Sequence, residues 1–197
     1  MSSDEKFILS PKQKEFIANS TAKINIAHGA VRSGKTHASL LRFIELAINC
    51  PDNDIIMIGN SFSAIEANAV RPISDTLVQG FCTWQRGNQL LLMGTKRIRV
   101  LGAHDESAVR AIQGNTHSLA YVDEMTTIPF NFMDMLTTRL SKPHSMMVGT
   151  CNPDSPVHPV KTRFIDCEDH SYAYSLHFDI DDNPALDIRT KNDLKTK

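Results

Sequence analysis

Residues 29–36 read GAVRSGKT and satisfy the pattern G-x-x-x-x-G-K-[ST] in full. A short apolar run at residues 24–27 precedes this stretch, and residues 36–49 follow it with apolar side chains at helical spacing. Glycines let the backbone curl so that successive N–H groups point inward at phosphate oxygens, and the following helix adds the positive end of its dipole. The stretch therefore predicts a phosphate-binding loop between a strand and a helix.

Each part of this loop has an expected role in binding a nucleotide. We expect Lys35 to reach the β- and γ-phosphates of the nucleotide, and the hydroxyl of Thr36 to ligate Mg²⁺. Arg32 lies inside the loop, where its charge is close to the phosphates. The residues that we expect to contact the nucleotide are Gly29, Ala30, Val31, Arg32, Ser33, Gly34, Lys35 and Thr36.

The rest of the chain repeats the order of apolar strand, polar strand end and helix. Further strands are predicted at residues 54–58, 90–93, 97–101, 118–122, 145–148 and 172–178, and further helices at residues 12–19, 63–79 and 130–140. This order predicts an α/β fold, with a mostly parallel sheet, helices on both faces and an antiparallel hairpin addition. Ligands of such folds gather beyond the carboxyl ends of the strands. Four strands end in polar or glycine clusters, at residues 28–29, 59–61, 123–124 and 149–150.

Two carboxylates, Asp123 and Glu124, follow the apolar strand at residues 118–122. We expect Asp123 to hold Mg²⁺ and Glu124 to polarise the attacking water. A catalytic carboxylate beside the magnesium ligand is typical of ATP-driven motors rather than switch GTPases. The guanine-reading pattern N-K-x-D is also absent from the sequence. The acidic strand end therefore favours ATP hydrolysis.

The strand at residues 145–148 ends close to a hydroxyl, Thr150, and an amide, Asn152. Groups of this kind can hydrogen-bond the γ-phosphate, so that its release after hydrolysis moves a nearby segment. The alternative is a plain turn, because Asn-Pro is also a turn signal. Hydrolysis further needs an arginine that neutralises charge in the transition state. Arg32 is one candidate, and Arg110 is another that could be offered to a neighbouring subunit. Arg139 and Arg163 are the remaining candidates, for which a solvated surface position is the alternative.

Composition limits the class of protein without suggesting a partner. The chain has 197 residues and a formal net charge of -1, as expected of one globular domain. Its four cysteines are scattered without a CxxC spacing, so we expect no zinc site and a reducing compartment. No signal peptide and no membrane span are predicted. Lys96, Arg97 and Arg99 form a local basic patch, which suits DNA contact or protection of a sheet edge.

Four stretches, GAVRSGKT, AIQGNTHSLAYVDE, VGTCNP and DDNPAL, together resemble the large terminase subunits of tailed phages and prophages. These are the ATP-driven motors that package double-stranded DNA into capsids. The resemblance extends in order and spacing from Ser10 to Leu186. It implies a P-loop NTPase fold of the additional-strand, catalytic-glutamate type, which works as a ring on the portal.

The resemblance also implies roles for residues near the nucleotide. Gln13 resembles the adenine-reading glutamine upstream of the P-loop, and Arg32 matches the arginine commonly found inside this family's Walker A loop. Asp123 and Glu124 match the Walker B aspartate and the catalytic glutamate.

Two further motifs of the family couple ATP hydrolysis to movement and supply an arginine to the neighbouring subunit. Thr150 and Asn152 match its coupling motif, and Arg110 lies near the position of its trans-acting arginine finger. Relatives often carry arginine directly before the glycine of that segment, where this chain has Gln113.

Large terminase subunits carry a C-terminal nuclease domain as well. By resemblance, residues 1–180 form the ATPase motor domain, and residues 181–197 begin a linker to a nuclease domain beyond this sequence. We therefore expect no nuclease activity from this chain. The implied partners are double-stranded DNA, the portal protein, the small terminase subunit and further copies in a ring, while the isolated chain can be a monomer. The implied location is the cytoplasm of an infected or lysogenic bacterial host.

Two other functions are compatible with the motifs. One is a helicase-like or other P-loop ATPase that acts on nucleic acid without a capsid. The other is a nucleotide-gated assembly module without meaningful turnover, against which Glu124 argues because such a module needs no catalytic carboxylate.

Overall fold

The computed structural model describes residues 8–104, 106–153 and 155–195, and their strands form one eight-stranded sheet. The strands are β1 (Ile24–Gly29), β2 (Ile55–Gly59), β3 (Cys82–Gln85), β4 (Leu90–Met93), β5 (Lys96–Gly102), β6 (Leu119–Val122), β7 (Met146–Cys151) and β8 (Ala173–Phe178). Their order across the sheet is β3-β4-β5-β2-β6-β7-β1-β8. The pairs β3–β4 and β4–β5 are antiparallel and the others are parallel. This confirms the predicted sheet with its antiparallel addition.

Helices cover both faces of the sheet. They are α1 (Pro11–Asn19), α2 (Lys35–Asn49), α3 (Phe62–Ile65), α4 (Glu106–Gln113), α5 (Phe130–Arg139) and α6 (Ile188–Lys195). After α3 the chain continues in two π-helical segments, Glu66–Val70 and Pro72–Leu77. Because Pro72 lacks a backbone N–H, it interrupts the regular hydrogen bonding of a helix at this point.

The core consists of two apolar layers, one on each face. Phe43 of α2 packs with Met57 and Tyr121 on one face. Phe132 of α5 packs with Ile58 on the other. All five residues of β2 and all four of β6 are buried, because these central strands are covered on both sides.

Register aligns the carboxyl ends of the four central strands. Val122 pairs with Ile58 of β2 and with Gly149 of β7, and Gly149 pairs with Ile26 of β1. The residues that follow β1, β2, β6 and β7 therefore lie at one edge of the sheet, as the sequence predicted.

Three elements were not predicted from the sequence. Strand β3 is four residues long and only partly buried, so it lacks a strong apolar pattern. Helix α6 has no buried residue and lies in a stretch that reads as an acidic tail. Helix α4 was not predicted, although its Arg110 was named from the sequence. Its residues Ala108 and Ile112 are buried in the core.

The tight packing of β6 against β7 gives a test of the fold. A Cβ atom on Gly149 would lie 2.6 Å from Met125 Sδ and 2.9 Å from the Val122 carbonyl oxygen. Overpacking of this kind costs about 1–3 kcal/mol, so Gly149→Ala should lower the free energy of unfolding by that amount in urea titrations. Gly87→Ala is the matched control, since its Cβ meets no atom within 4 Å, and it should stay within about 0.5 kcal/mol of wild type. Equal stability of the two variants would contradict the β6–β7 packing.

Candidate nucleotide site

The loop between β1 and α2 has the backbone conformation of a phosphate cradle. Gly29, Arg32 and Gly34 have φ angles of 120°, 60° and 88°, in the left-handed region. A Cβ atom on Gly29 would clash with the Phe178 carbonyl oxygen, so this position accepts only glycine. Loops with left-handed residues of this kind form concavities that bind anions through backbone N–H groups, so the conformation suits an anion site at the start of α2.

Lys35 connects this loop with the acidic end of β6. Its side chain is buried, and its Nζ donates to the Ala30 carbonyl oxygen at 3.4 Å. The same Nζ lies 3.7 Å from Glu124 Oε1. The structure thus brings together the lysine and the carboxylate that the sequence selected, far apart in the chain.

Ser33 gives an independent indication that the loop is built for a ligand. Its Oγ is buried, and no hydrogen-bond partner for it exists among the described residues. A buried hydroxyl without a partner costs about 1–3 kcal/mol, and a phosphate oxygen would supply the missing acceptor. Thr36, three positions after Ser33, is half-buried. It lines a cavity of about 480 Å³ that Asn68 and Arg71 also line.

Asp123 is held from two sides. It is 4% exposed, and its Oδ1 accepts a hydrogen bond of 3.0 Å from Thr150 Oγ1. Its Oδ2 accepts one of 2.9 Å from Asn68 Nδ2. Hydroxyl and carboxylate oxygens are ligands that Mg²⁺ prefers, so the side-chain chemistry of Thr36 and Asp123 suits a magnesium ion.

Glu124 has a strained backbone. Its φ of 47° is left-handed, a conformation that costs a non-glycine residue on the order of 1 kcal/mol. Its backbone N–H donates to Thr150 Oγ1 at 3.0 Å. The Thr150 hydroxyl therefore contacts Asp123 and Glu124 rather than standing open to a phosphate as the sequence suggested. Asn152 follows it and is half-buried.

Two amides clamp the loop from outside. Gln13 Nε2 donates to the Gly34 carbonyl oxygen at 3.1 Å, and Gln13 Oε1 accepts from the backbone N–H of Ser10. Asn183 Nδ2 donates to the Arg32 carbonyl oxygen at 2.7 Å. In this structure, the amide of Gln13 thus braces the loop and caps α1.

His28 precedes the loop and is neutral at physiological pH. Its ring centroid is 5.1 Å from that of His177 on β8. Burial, with His177 and Lys161 adding repulsion, lowers the pKa of His28 to about 4. The imidazole therefore adds no positive charge next to the phosphate cradle.

The candidate arginines occupy different environments. Arg32 and Arg110 are exposed, on the loop and on α4. Arg163 is engaged by the Asp134 carboxylate and by the ring of Phe164. Arg139 is exposed at the end of α5.

The basic hairpin residues do not form one patch. Arg97 and Arg99 are exposed and share a face of β5, because side chains alternate along a strand. Lys96 points to the opposite face and donates to the Cys50 carbonyl oxygen. The structure therefore separates Lys96 from the two arginines.

Two contact residues were missed by sequence reasoning. Asn68 lies in a polar helical stretch where no local pattern distinguishes it from solvated residues. Asn183 belongs to the DDNPAL stretch, which contributed to the resemblance without an assigned role.

The fold and the loop define a P-loop NTPase. Residues 26–192 match the family model of the terminase large subunit, T4likevirus-type, N-terminal. The chain belongs to this family. A comparison with curated protein sequences gave no match.

Solved structures share the fold. The large terminase of a thermophilic bacteriophage (crystal form 2) is 24% identical with a TM-score of 0.85, over 95% of this chain and 50% of that one. The same terminase in complex with ATP-γ-S gives a TM-score of 0.80 at 23% identity, over 95% and 49%. The N-terminal domain of the DNA packaging ATPase from bacteriophage phi29 gives 0.59 at 15% identity, over 88% and 97%. The chain thus spans about half the length of the thermophilic phage terminase. No helix within residues 8–104, 106–153 and 155–195 is long and apolar enough to cross a membrane.

Proposed function

We propose that this chain is the ATPase motor domain of a phage large terminase, which hydrolyses ATP and drives double-stranded DNA into the procapsid. The observation that carries the proposal is the position of Lys35 Nζ, 3.7 Å from Glu124 Oε1 and inside a phosphate cradle. Family membership and the nucleotide bound in the similar thermophilic phage terminase support the choice of ATP.

The loop residues bind the substrate in this proposal. Backbone N–H groups of residues 31–34 and the ammonium of Lys35 hold the β- and γ-phosphates, while Gln13 contacts the adenine. Thr36 and Asp123 hold Mg²⁺, which neutralises charge on the phosphate oxygens when bound.

Glu124 acts as the general base. Lys35 Nζ lies 3.7 Å from the Glu124 carboxylate and offsets the negative charge there. A γ-phosphate competes for that ammonium, so ATP binding frees the carboxylate to orient a water and accept its proton. Arg32 stabilises the developing charge from within the loop, and a neighbouring copy supplies Arg110.

Thr150 and Asn152 couple hydrolysis to movement. The Thr150 hydroxyl joins the side chain of Asp123 to the backbone of Glu124. A shift of the Asp123 carboxylate or of the Glu124 backbone after phosphate release therefore moves the end of β7 and the loop that follows it.

DNA contact is assigned to the face of β5 that carries Arg97 and Arg99. Two exposed arginines at alternate positions of a strand suit adjacent phosphates, with binding that is independent of sequence and weakened by salt. Lys96 supports this hairpin through its bond to Cys50. The portal protein, the small terminase subunit and further copies in a ring complete the motor, in the host cytoplasm.

The catalytic assignment is tested by Glu124→Gln. The variant keeps the shape of the side chain but loses the base, so we expect ATP hydrolysis to fall about 10²–10⁴-fold while binding of a fluorescent ATP analogue is retained. Glu45→Gln is the matched control, since Glu45 is exposed on α2 and pairs with Arg42. Unchanged hydrolysis in Glu124→Gln would refute the role of Glu124 as the base, whereas a wild type that binds the analogue without hydrolysing ATP would leave the nucleotide-gated module as the better function.

The arginine finger is tested by mixing inactive subunits. Arg110→Ala subunits keep Glu124, and Glu124→Gln subunits keep Arg110. If the arginine acts on a neighbour, the mixture should regain hydrolysis that neither variant shows alone, measured with portal protein and duplex DNA present. The control replaces the second partner with the double variant Arg110→Ala/Glu124→Gln, which cannot rescue. A mixture as inactive as this control would contradict action in trans.

A further inference from the structure

Asn68 supplies the second hydrogen bond to Asp123, and no motif of the sequence points to it. Its Nδ2 donates to Asp123 Oδ2 at 2.9 Å, across 55 positions of the chain. Because Thr150 occupies Oδ1, the two donors fix both the position and the rotation of the carboxylate. A carboxylate oxygen has two acceptor directions, so the bond from Asn68 leaves one direction of Oδ2 for a cation or its water.

The stretch that carries Asn68 is itself fixed by a buried carboxylate. Glu66, 5% exposed, accepts hydrogen bonds from Trp84 Nε1 at 3.0 Å and from Arg86 Nε at 2.9 Å. Arg71 lies 3.3 Å from the same carboxylate. The bonds from Trp84 and Arg86 hold the pKa of Glu66 below its ordinary value, so the group stays ionised and keeps the segment Glu66–Val70 tied to the β3–β4 edge.

The surroundings of Asn68 include a cavity. It lies at the wall of the 480 Å³ cavity together with Thr36, the other expected magnesium ligand.

We propose that Asn68 is a positioning residue for the magnesium site, which aims the Asp123 carboxylate at the ion and is held in place by Glu66. This inference rests on the proposed function, since it requires Asp123 to bind Mg²⁺. Residues that orient a metal ligand typically change metal affinity by about 10–100-fold when they are removed.

The test uses Asn68→Ala and Asn68→Leu, the second of which keeps the volume without the donor. Affinity for a fluorescent ATP analogue is measured against Mg²⁺ concentration and again in EDTA. We expect the Mg²⁺ concentration for half-maximal gain in affinity to rise about tenfold or more, with affinity in EDTA close to wild type. Loss of a donor to a buried carboxylate also lowers stability, so affinities are measured well below the melting temperature of each variant. Glu66→Gln should shift the Mg²⁺ dependence in the same direction by a smaller factor.

The matched control is Asn115→Ala. Asn115 lies between α4 and β6, and its amide donates to the Ala111 carbonyl oxygen of α4. It should leave the Mg²⁺ dependence unchanged. An unchanged Mg²⁺ dependence in both Asn68 variants would overturn the inference, as would an equal loss of affinity with and without Mg²⁺, which a merely structural role predicts. Absence of nucleotide binding by wild type would instead overturn the proposed function and this inference with it.

Discussion

The buried carboxylate of Asp123 is the constraint on which the site depends. Removing an ionised carboxylate from water costs several kcal/mol unless hydrogen-bond donors replace the water. Its donors come from Thr150 on β7 and from Asn68 on the π-helical segment after α3. The ends of β6, β7 and this segment must therefore keep their relative positions, and the parallel register of the central strands provides that alignment.

The carboxyl edge of the sheet also contains strained backbone and a buried hydroxyl without a partner in the described chain. Glu124 and Arg32 have left-handed backbones, and Ser33 buries a hydroxyl without a partner in the described chain. Each feature costs stability, and each lies where a phosphate, a magnesium ion or a water would act. Such costs persist when the surrounding packing enforces them, as the apolar layers on both faces of the sheet do here. The packing of the fold thus supports the proposed ATPase site at this one edge of the sheet.

The sequence predicted the loop, the acidic strand end and the positions of the central strands along the chain, because polar or glycine residues directly follow apolar runs there. It missed Asn68 because a polar helical stretch has no local pattern that marks one amide, and the pairing with Asp123 spans 55 positions. The grouping of Lys96 with Arg97 ignored the alternation of side chains along a strand, a signal that was present. Strand β3 and helix α6 lacked buried apolar faces and could be recognised only in the folded chain.

The central claim, that residues 29–36 form an ATP site, is tested most directly by the affinity of Lys35→Ala for a fluorescent ATP analogue with Mg²⁺. Loss of charge-assisted hydrogen bonds to two phosphates should weaken binding at least about 100-fold, while Lys14→Ala, at an exposed position of α1, should bind as wild type does. Affinity within about twofold of wild type in a folded Lys35→Ala variant would contradict the account.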